Sequence, residues 1–244
     1  MKRFFPCLTL AALMLTATIP AVAAESAGTA SASVGLSSLY VWRGQQLSGG
    51  VVLQPSAGLT YGPVGFSLWS NYDIDNETLN ETDVTLSYSR AAGPLSLQAG
   101  LIHYGLEGLA DTQEIYLTVG AATILSPSLT LFYDFGEGDG AYLQAAISHA
   151  FPVSDTFQVK VGASAGYTLG NSLMGADAAG DALSCLYSAE IWVSAPLTVG
   201  PAVIEPRIAY STSLSDKAKT ALEGISPDGD ASPLYGGVTV TFAL

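Results

Sequence analysis

The chain has 244 residues, 49% of them hydrophobic and only 12% charged, with 21 acidic side chains against eight basic ones and a formal charge of −13. Soluble globular domains carry roughly 25% charged residues, so this balance excludes an ordinary soluble domain. So acidic a surface also repels phosphates, which excludes nucleic acid as a partner.

Lys2 and Arg3 precede an apolar stretch, Phe4 to Ile19, and Ala21-Val22-Ala23 follows as a small-residue cleavage site. This order is that of a secretory signal peptide. Residues 1–24 are therefore predicted to be removed after Ala23 or Ala24, leaving one domain, 25–244. The apolar run is shorter than the ~20 residues of a spanning helix. Removing Lys2 and Arg3 leaves six basic residues and moves the formal charge from −13 to −15. Cys185 is then the single cysteine, so neither an internal disulfide nor a Cys-based metal site is available.

Beyond residue 24 no uninterrupted apolar run approaches a helical span, and apolar residues alternate with polar ones instead. Val84, Leu86 and Tyr88 alternate with Asp83, Thr85 and Ser87, and Ile115, Leu117 and Val119 with Glu114, Tyr116 and Thr118. The pattern predicts about twelve strands: 31–43, 51–61, 64–72, 82–91, 95–104, 113–122, 128–136, 141–151, 156–168, 183–197, 201–212 and 235–244. Most exceed the usual globular strand of about 5–6 residues, and when tilted they are long enough to cross a bilayer.

A soluble β-sandwich or lipocalin-like barrel would share that alternation, and the connections separate the cases. Short turns at Gly62-Pro63, Ala92-Gly93-Pro94, Ser126-Pro127, Pro152–Asp155 and Gly200-Pro201 alternate with longer polar connections. The longer ones are Gln45–Gly50, Asp73–Glu81, Gly105–Thr112, Glu137–Gly140, Gly170–Ala182 and Ser213–Pro233. Short turns on one side and long loops on the other mark an outer-membrane barrel. With the apolar face outward, Tyr40, Trp42, Tyr72, Phe135, Tyr167 and Tyr210 gather at the long-loop ends. Tyr61, Phe66, Phe151, Phe157 and Phe242 gather at the short-turn ends, giving two aromatic girdles. The fold expected is all-β: a transmembrane, antiparallel up-and-down β-barrel of about twelve strands in the outer membrane, with both termini periplasmic. In the last long connection Ser215 and Gly224 suit the two ends of a short helix, and a plain loop suits the same residues.

The segment Ser38-Leu39-Tyr40-Val41-Trp42-Arg43-Gly44-Gln45, followed by Gln54-Pro55-Ser56-Ala57-Gly58-Leu59-Thr60-Tyr61, resembles the opening of the TorF-family putative porins. That family begins with a Tyr-x-aromatic-Arg-Gly strand end and a Gly-rich second strand ending in Tyr. The resemblance covers residues 36–73 and implies an outer-membrane barrel with little further chemistry. The chain ends in Phe242-Ala243-Leu244, where many outer-membrane proteins carry a terminal aromatic.

No catalytic, cofactor or metal constellation emerges. His103 and His149 fall on the lipid-side register at opposite strand ends, so they do not share a site. Asp73-Ile74-Asp75-Asn76-Glu77 fails as a calcium loop, because the sixth place is Thr78 and the twelfth Val84. Charge position is more informative. Asp73, Asp75, Glu77, Glu81, Glu107, Asp111, Glu137, Asp139, Asp177, Asp181, Asp216, Glu223, Asp228 and Asp230 sit in the long connections. Simple solvation explains this, and so does an electronegative vestibule. On the polar register Arg43, Asp83, Glu114 and Asp134 are expected to line the outer half of the lumen, and Lys160, Glu190, Glu205 and Arg207 the deeper half. Facing lipid, such groups would cost several kcal/mol.

The function expected is a porin-like passive channel for small hydrophilic solutes, mildly cation-preferring and not an enzyme. Its partners would be outer-membrane lipid, those solutes and, during biogenesis, the export and barrel-assembly machinery. A structural or adhesive barrel with a closed lumen is the alternative, and a lipid-modifying barrel enzyme a more distant one.

Overall fold

The computed structural model describes residues 28–244; the expected signal peptide and its cleavage site lie outside them. Twelve antiparallel strands form the wall: β1 (Thr29–Ser37), β2 (Val52–Tyr61), β3 (Val64–Asp73), β4 (Thr78–Ala92), β5 (Leu95–Leu106) and β6 (Thr112–Ala121), then β7 (Ser128–Asp134), β8 (Gly140–Pro152), β9 (Gln158–Leu169), β10 (Ser184–Ser194), β11 (Ala202–Ser213) and β12 (Leu234–Ala243). Each pairs with its neighbour in sequence. The ring closes where β12 meets β1, with Val34 opposite Val240 and Leu36 opposite Val238. Closure leaves no sheet edge unpaired, which a bilayer core demands. The fold is thus a closed twelve-stranded barrel of the outer-membrane type.

The side-chain period of two decides which residues face out. Leu86, Leu101, Leu117, Leu131, Ile147, Ile191 and Ile208, on seven different strands, all stand exposed on the outer surface. Their polar neighbours turn inward, where Thr118 and Thr130 share a hydrogen bond of 2.9 Å across the β6–β7 pair. Gly62-Pro63, Gly93-Pro94 and Gly200-Pro201 each make a two-residue turn with the glycine at φ 56°, 62° and 58°. Glycine first and proline second suits the mirror-type hairpin turn that matches strand twist.

At the long-loop end the connections fold back over the opening. A 3₁₀ turn (Ser172–Met174) follows β9, and helix α1 (Asp216–Ile225) follows β11. Ser215 caps α1 by accepting from the Ala218 amide at 3.3 Å, so of the two readings of this segment the helix is the one formed. Ala218 and Leu222 of α1 are buried against Tyr142, Met174, Leu183, Tyr187 and Ala231. This cluster makes a small apolar core inside the mouth of the barrel.

Three expectations are corrected. The first strand, expected to run to residue 43, ends at Ser37, and residues 38–50 leave the wall and enter the lumen. Tyr40 and Trp42 therefore belong to no lipid girdle; Tyr40 is buried and packs on Trp69 at 5.3 Å. Glu81 lies on β4 rather than in a loop, and it is buried. Asn80 is an extra residue there: Asn71 pairs with Glu81 and Tyr72 with Leu79, and this bulge reverses the facing of the residues beyond it. Phe135 and Tyr210 near the long-loop end, and Tyr61, Phe66, Phe151 and Phe242 near the short-turn end, do stand exposed.

Candidate functional site in the lumen

The site is built around residues 38–50. Two short strands, Val41–Trp42 and Gln45–Gln46, pair with each other and turn the chain back at Arg43-Gly44. Arg43 has φ 51° and Gly44 φ 88°. A side chain at Gly44 would be strained by that backbone and would place its Cβ 2.6 Å from Ser188 Cβ. Glycine is what lets this tip press against the far wall.

Arg43 occupies the centre. Its Nη1 and Nη2 donate to Glu114 Oε1 and Oε2, each at 2.7 Å. Tyr104 donates its hydroxyl to the same carboxylate at 2.8 Å. The guanidinium also lies over three rings, 4.4 Å from the centres of Trp42 and Phe132 and 4.6 Å from that of Tyr142. Planar, delocalised and weakly hydrated, a guanidinium tolerates this enclosure better than an ammonium. The side chains of Arg43 and Glu114 are only 6% and 1% exposed, so this level of the lumen is dry.

The wall holds the tip from the opposite side. Ser188 Oγ donates to the Arg43 carbonyl at 2.8 Å, and Tyr187 Oη accepts from Gln45 Nε2 at 3.2 Å. Two consecutive residues of one strand face inward because of a bulge: Ala165 pairs with Ala189 but Tyr167 with Leu186. Gly166 thus faces both Tyr187 and Ser188. Neither residue was identified as functional from the sequence. A signal was present, since Leu186 and Ile191, both outward, are five apart, and odd spacing requires an extra residue.

Asp134 sits at the rim, its carboxylate taken by the Thr112 hydroxyl (2.7 Å) and the amides of Gly136 and Gly138 (2.9 and 3.0 Å). Asp83, on β4, is paired in register between Trp69 on β3 and Tyr104 on β5. Arg43, Asp83, Glu114 and Asp134 thus all lie in the outer half, although Arg43 hangs from the inward segment and not from the wall.

The deeper half differs. Lys160 and Glu205 approach to 3.8 Å with side chains 19% and 31% exposed. Arg207 pairs with Glu190, 38% and 23% exposed, and Tyr235 also donates to Glu190. Arg207 lies 5.4 Å from the Trp192 ring centre. Four expected lumen charges are therefore brought together on three neighbouring strands, at a level that water reaches.

His103 contacts Gln113 (3.1 Å) and Asp111 (3.5 Å) at the long-loop end. His149 contacts the Ile124 carbonyl (2.6 Å) at the short-turn end. They lie at opposite ends of the barrel and form no joint site. In the loops, Asp228 has a lowered pKa, chiefly because the Ser226 hydroxyl donates to it, helped by the Asp230 amide and by Gln46. Asp177 is lowered mainly by the amides of Ala179 and Asp181.

The chain matches no family model and no curated protein sequence, so the TorF resemblance rests on residues 36–73 alone. Among solved structures it is similar to the NanC porin, with a TM-score of 0.55 and 11% identity over 88% of this chain and 100% of that one. A structure from a study of in-meso crystallization of membrane proteins aligns with a TM-score of 0.50 and 10% identity, over 88% of this chain and 84% of that one. The COG4313 outer membrane channel from Pseudomonas putida F1 aligns at 0.47 and 10%, over 91% and 97%. At such identities the likeness to the first two shows the fold, an outer-membrane barrel.

Proposed function

We propose that this barrel is a porin-like passive channel carrying small hydrophilic solutes across the outer membrane, with a mild preference for cations. The observation that carries the reading is the solvent-reached charged patch of Lys160, Glu190, Glu205 and Arg207 on the inner side of a closed wall whose outer face is apolar. A charged, wet interior is of no use to a protein that only packs against lipid, whereas it suits passage of water and ions. The fold shared with the NanC porin supports the same reading. The TorF resemblance fits as well, since its Tyr-x-aromatic-Arg-Gly segment is the one that narrows the lumen. The preference for cations follows from charge: Glu114, Asp134, Glu190 and Glu205 outnumber Arg43, Lys160 and Arg207 along the lumen, leaving an electronegative path. The acidic loops at the mouth add to it.

A second reading, a closed structural or adhesive barrel, is favoured by one observation: the dry Arg43–Glu114 level. Conductance of the refolded protein in planar bilayers separates the two. The channel reading expects small unitary currents and a reversal potential displaced toward that of the cation in a salt gradient. Folded, inserted protein that carries no current over many insertions would establish the scaffold instead.

A further inference from the structure

We propose that residues 38–50 form a movable gate, coupled to the two lid segments 170–183 and 214–233, and that opening withdraws all three from the lumen. The proposal deepens the channel reading and rests on it. Its first support is how the segment is attached. Ser37 and Val52, at the two roots, are directly paired neighbours of β1 and β2. The hydrogen-bonded wall is therefore complete without the intervening residues. Between Leu39 and Gly50 the backbone bonds to itself, through the short hairpin and from the Leu47 amide to the Tyr40 carbonyl at 2.7 Å. Ser38, whose amide donates to the Gly236 carbonyl of β12 at 2.8 Å, stays with the wall as the hinge, and withdrawal from Leu39 onward breaks no wall pairing.

The second support is what holds the segment in. The clasp on Glu114 and the Ser188 bond fix its tip. Two adjacent glutamines then tie it to different lids. Gln45 Nε2 donates to the Leu173 carbonyl at 2.8 Å, in the segment after β9. Gln46 Nε2 donates to Asp228 Oδ2 at 3.3 Å, in the segment after β11. The lids are joined to each other as well, through Met174 and Leu183 packed with Ala218, Leu222 and Ala231. One displacement thus disturbs all three segments. The ties of the Arg43-Gly44 tip and of the two glutamines are polar contacts that water can replace on opening, while Tyr40, Trp42 and Leu47 behind them pack with Val52, Leu68 and Trp69 in an apolar cluster near the roots.

The third support is imperfect satisfaction of this packing. Gln46 Oε1, Asp83 Oδ1, Thr168 Oγ1 and Asn171 Nδ2 are the described buried side-chain atoms without a hydrogen-bond partner. All four lie on the inward segment or on the wall and lid around it. Unpaired buried polar atoms raise the free energy of the closed arrangement and gain water when it loosens.

The test locks the tip. In a Cys185→Ser background, Gly44→Cys and Ser188→Cys place the two Cβ atoms 2.6 Å apart, so the tip needs to back off by only about 1 Å to reach disulfide geometry. Oxidation is expected to cut the bilayer current at least tenfold, and reductant to restore it. Equal currents before and after a confirmed disulfide would overturn the gate while leaving the channel reading intact. Absence of current from wild type, reduced and oxidised protein alike would overturn the channel reading and the gate with it. Because Gly44 has a left-handed backbone, Gln45→Leu provides a second arm that keeps the Arg43-Gly44 turn. It is expected to raise the fraction of time spent open at least threefold by releasing the 170–183 lid. An unchanged open fraction in folded Gln45→Leu protein would also overturn the coupling.

Discussion

Arg43 and Glu114, 71 residues apart in sequence, meet in a two-limbed hydrogen-bonded pair with 2.7 Å on each limb, inside a cage of Trp42, Phe132 and Tyr142. Removing one partner would leave an uncompensated buried charge, at a cost of about 3–5 kcal/mol. We expect Arg43→Met to lower thermal stability in detergent by that order and to increase current. Arg43→Met combined with Glu114→Gln is expected to recover most of the stability, because no charge is left stranded. A single variant as stable as wild type would mean that water reaches Glu114.

The Glu190–Arg207 pair is the opposite case, since both side chains are reached by water. Partly exposed pairs contribute roughly 0–1 kcal/mol. Glu190→Gln is expected to leave the melting temperature nearly unchanged while shifting the reversal potential toward reduced cation preference. If selectivity stays put while conductance is normal, Glu190 does not border the ion path and the acids of the mouth set the preference.

Sidedness follows from loop length. Single cysteines at Asp75, Gly180 and Gly229, in a Cys185→Ser background, should react with a membrane-impermeant reagent on intact cells. Cysteines at Gly93 and Ser154 should react only after the outer membrane is opened. The reverse pattern would invert the barrel.

Acid should loosen the lids. The pKa of Asp228 is lowered by the Ser226 hydroxyl, the Asp230 amide and Gln46, and that of Asp177 mainly by two backbone amides. A carboxylate with a depressed folded pKa stabilises above its ordinary value of about 3.9 and loses that contribution as pH falls through the lower folded value. Amide protection of residues 214–233 should therefore hold from pH 7 to pH 5 and fall below about pH 4. In Asp228→Asn it should be lower throughout and flatter with pH, as hydrogen exchange corrected for intrinsic rates can measure.

Much of the wall is legible in the amino-acid order. Alternation in Val84–Tyr88 or Ile115–Val119 reports which residues share a face, and Gly-Pro pairs mark hairpin turns, so most strand limits fall within a few residues of those observed. The inward grouping of Lys160, Glu190, Glu205 and Arg207 is legible for the same reason, since a charge on the polar register of a membrane strand has only the lumen to face.

Alternation carries no information about where a strand stops running along the wall. Tyr40, Trp42 and Arg43 continue the pattern of β1, and an aromatic ring is buried equally well by lipid headgroups or by Trp69 and Tyr104 across a lumen. Only the tertiary structure decided between them, by bringing Glu114 from β6 and Ser188 from β10 to the tip of the turn. The bulge that faces Tyr187 and Ser188 inward is likewise a relation between β9 and β10 rather than a property of either strand. Composition and periodicity by themselves determined a transmembrane barrel with a charged interior. The dry outer constriction came from contacts between residues far apart in sequence, because burial there is set by what lies across the lumen and not by a residue's neighbours along the chain.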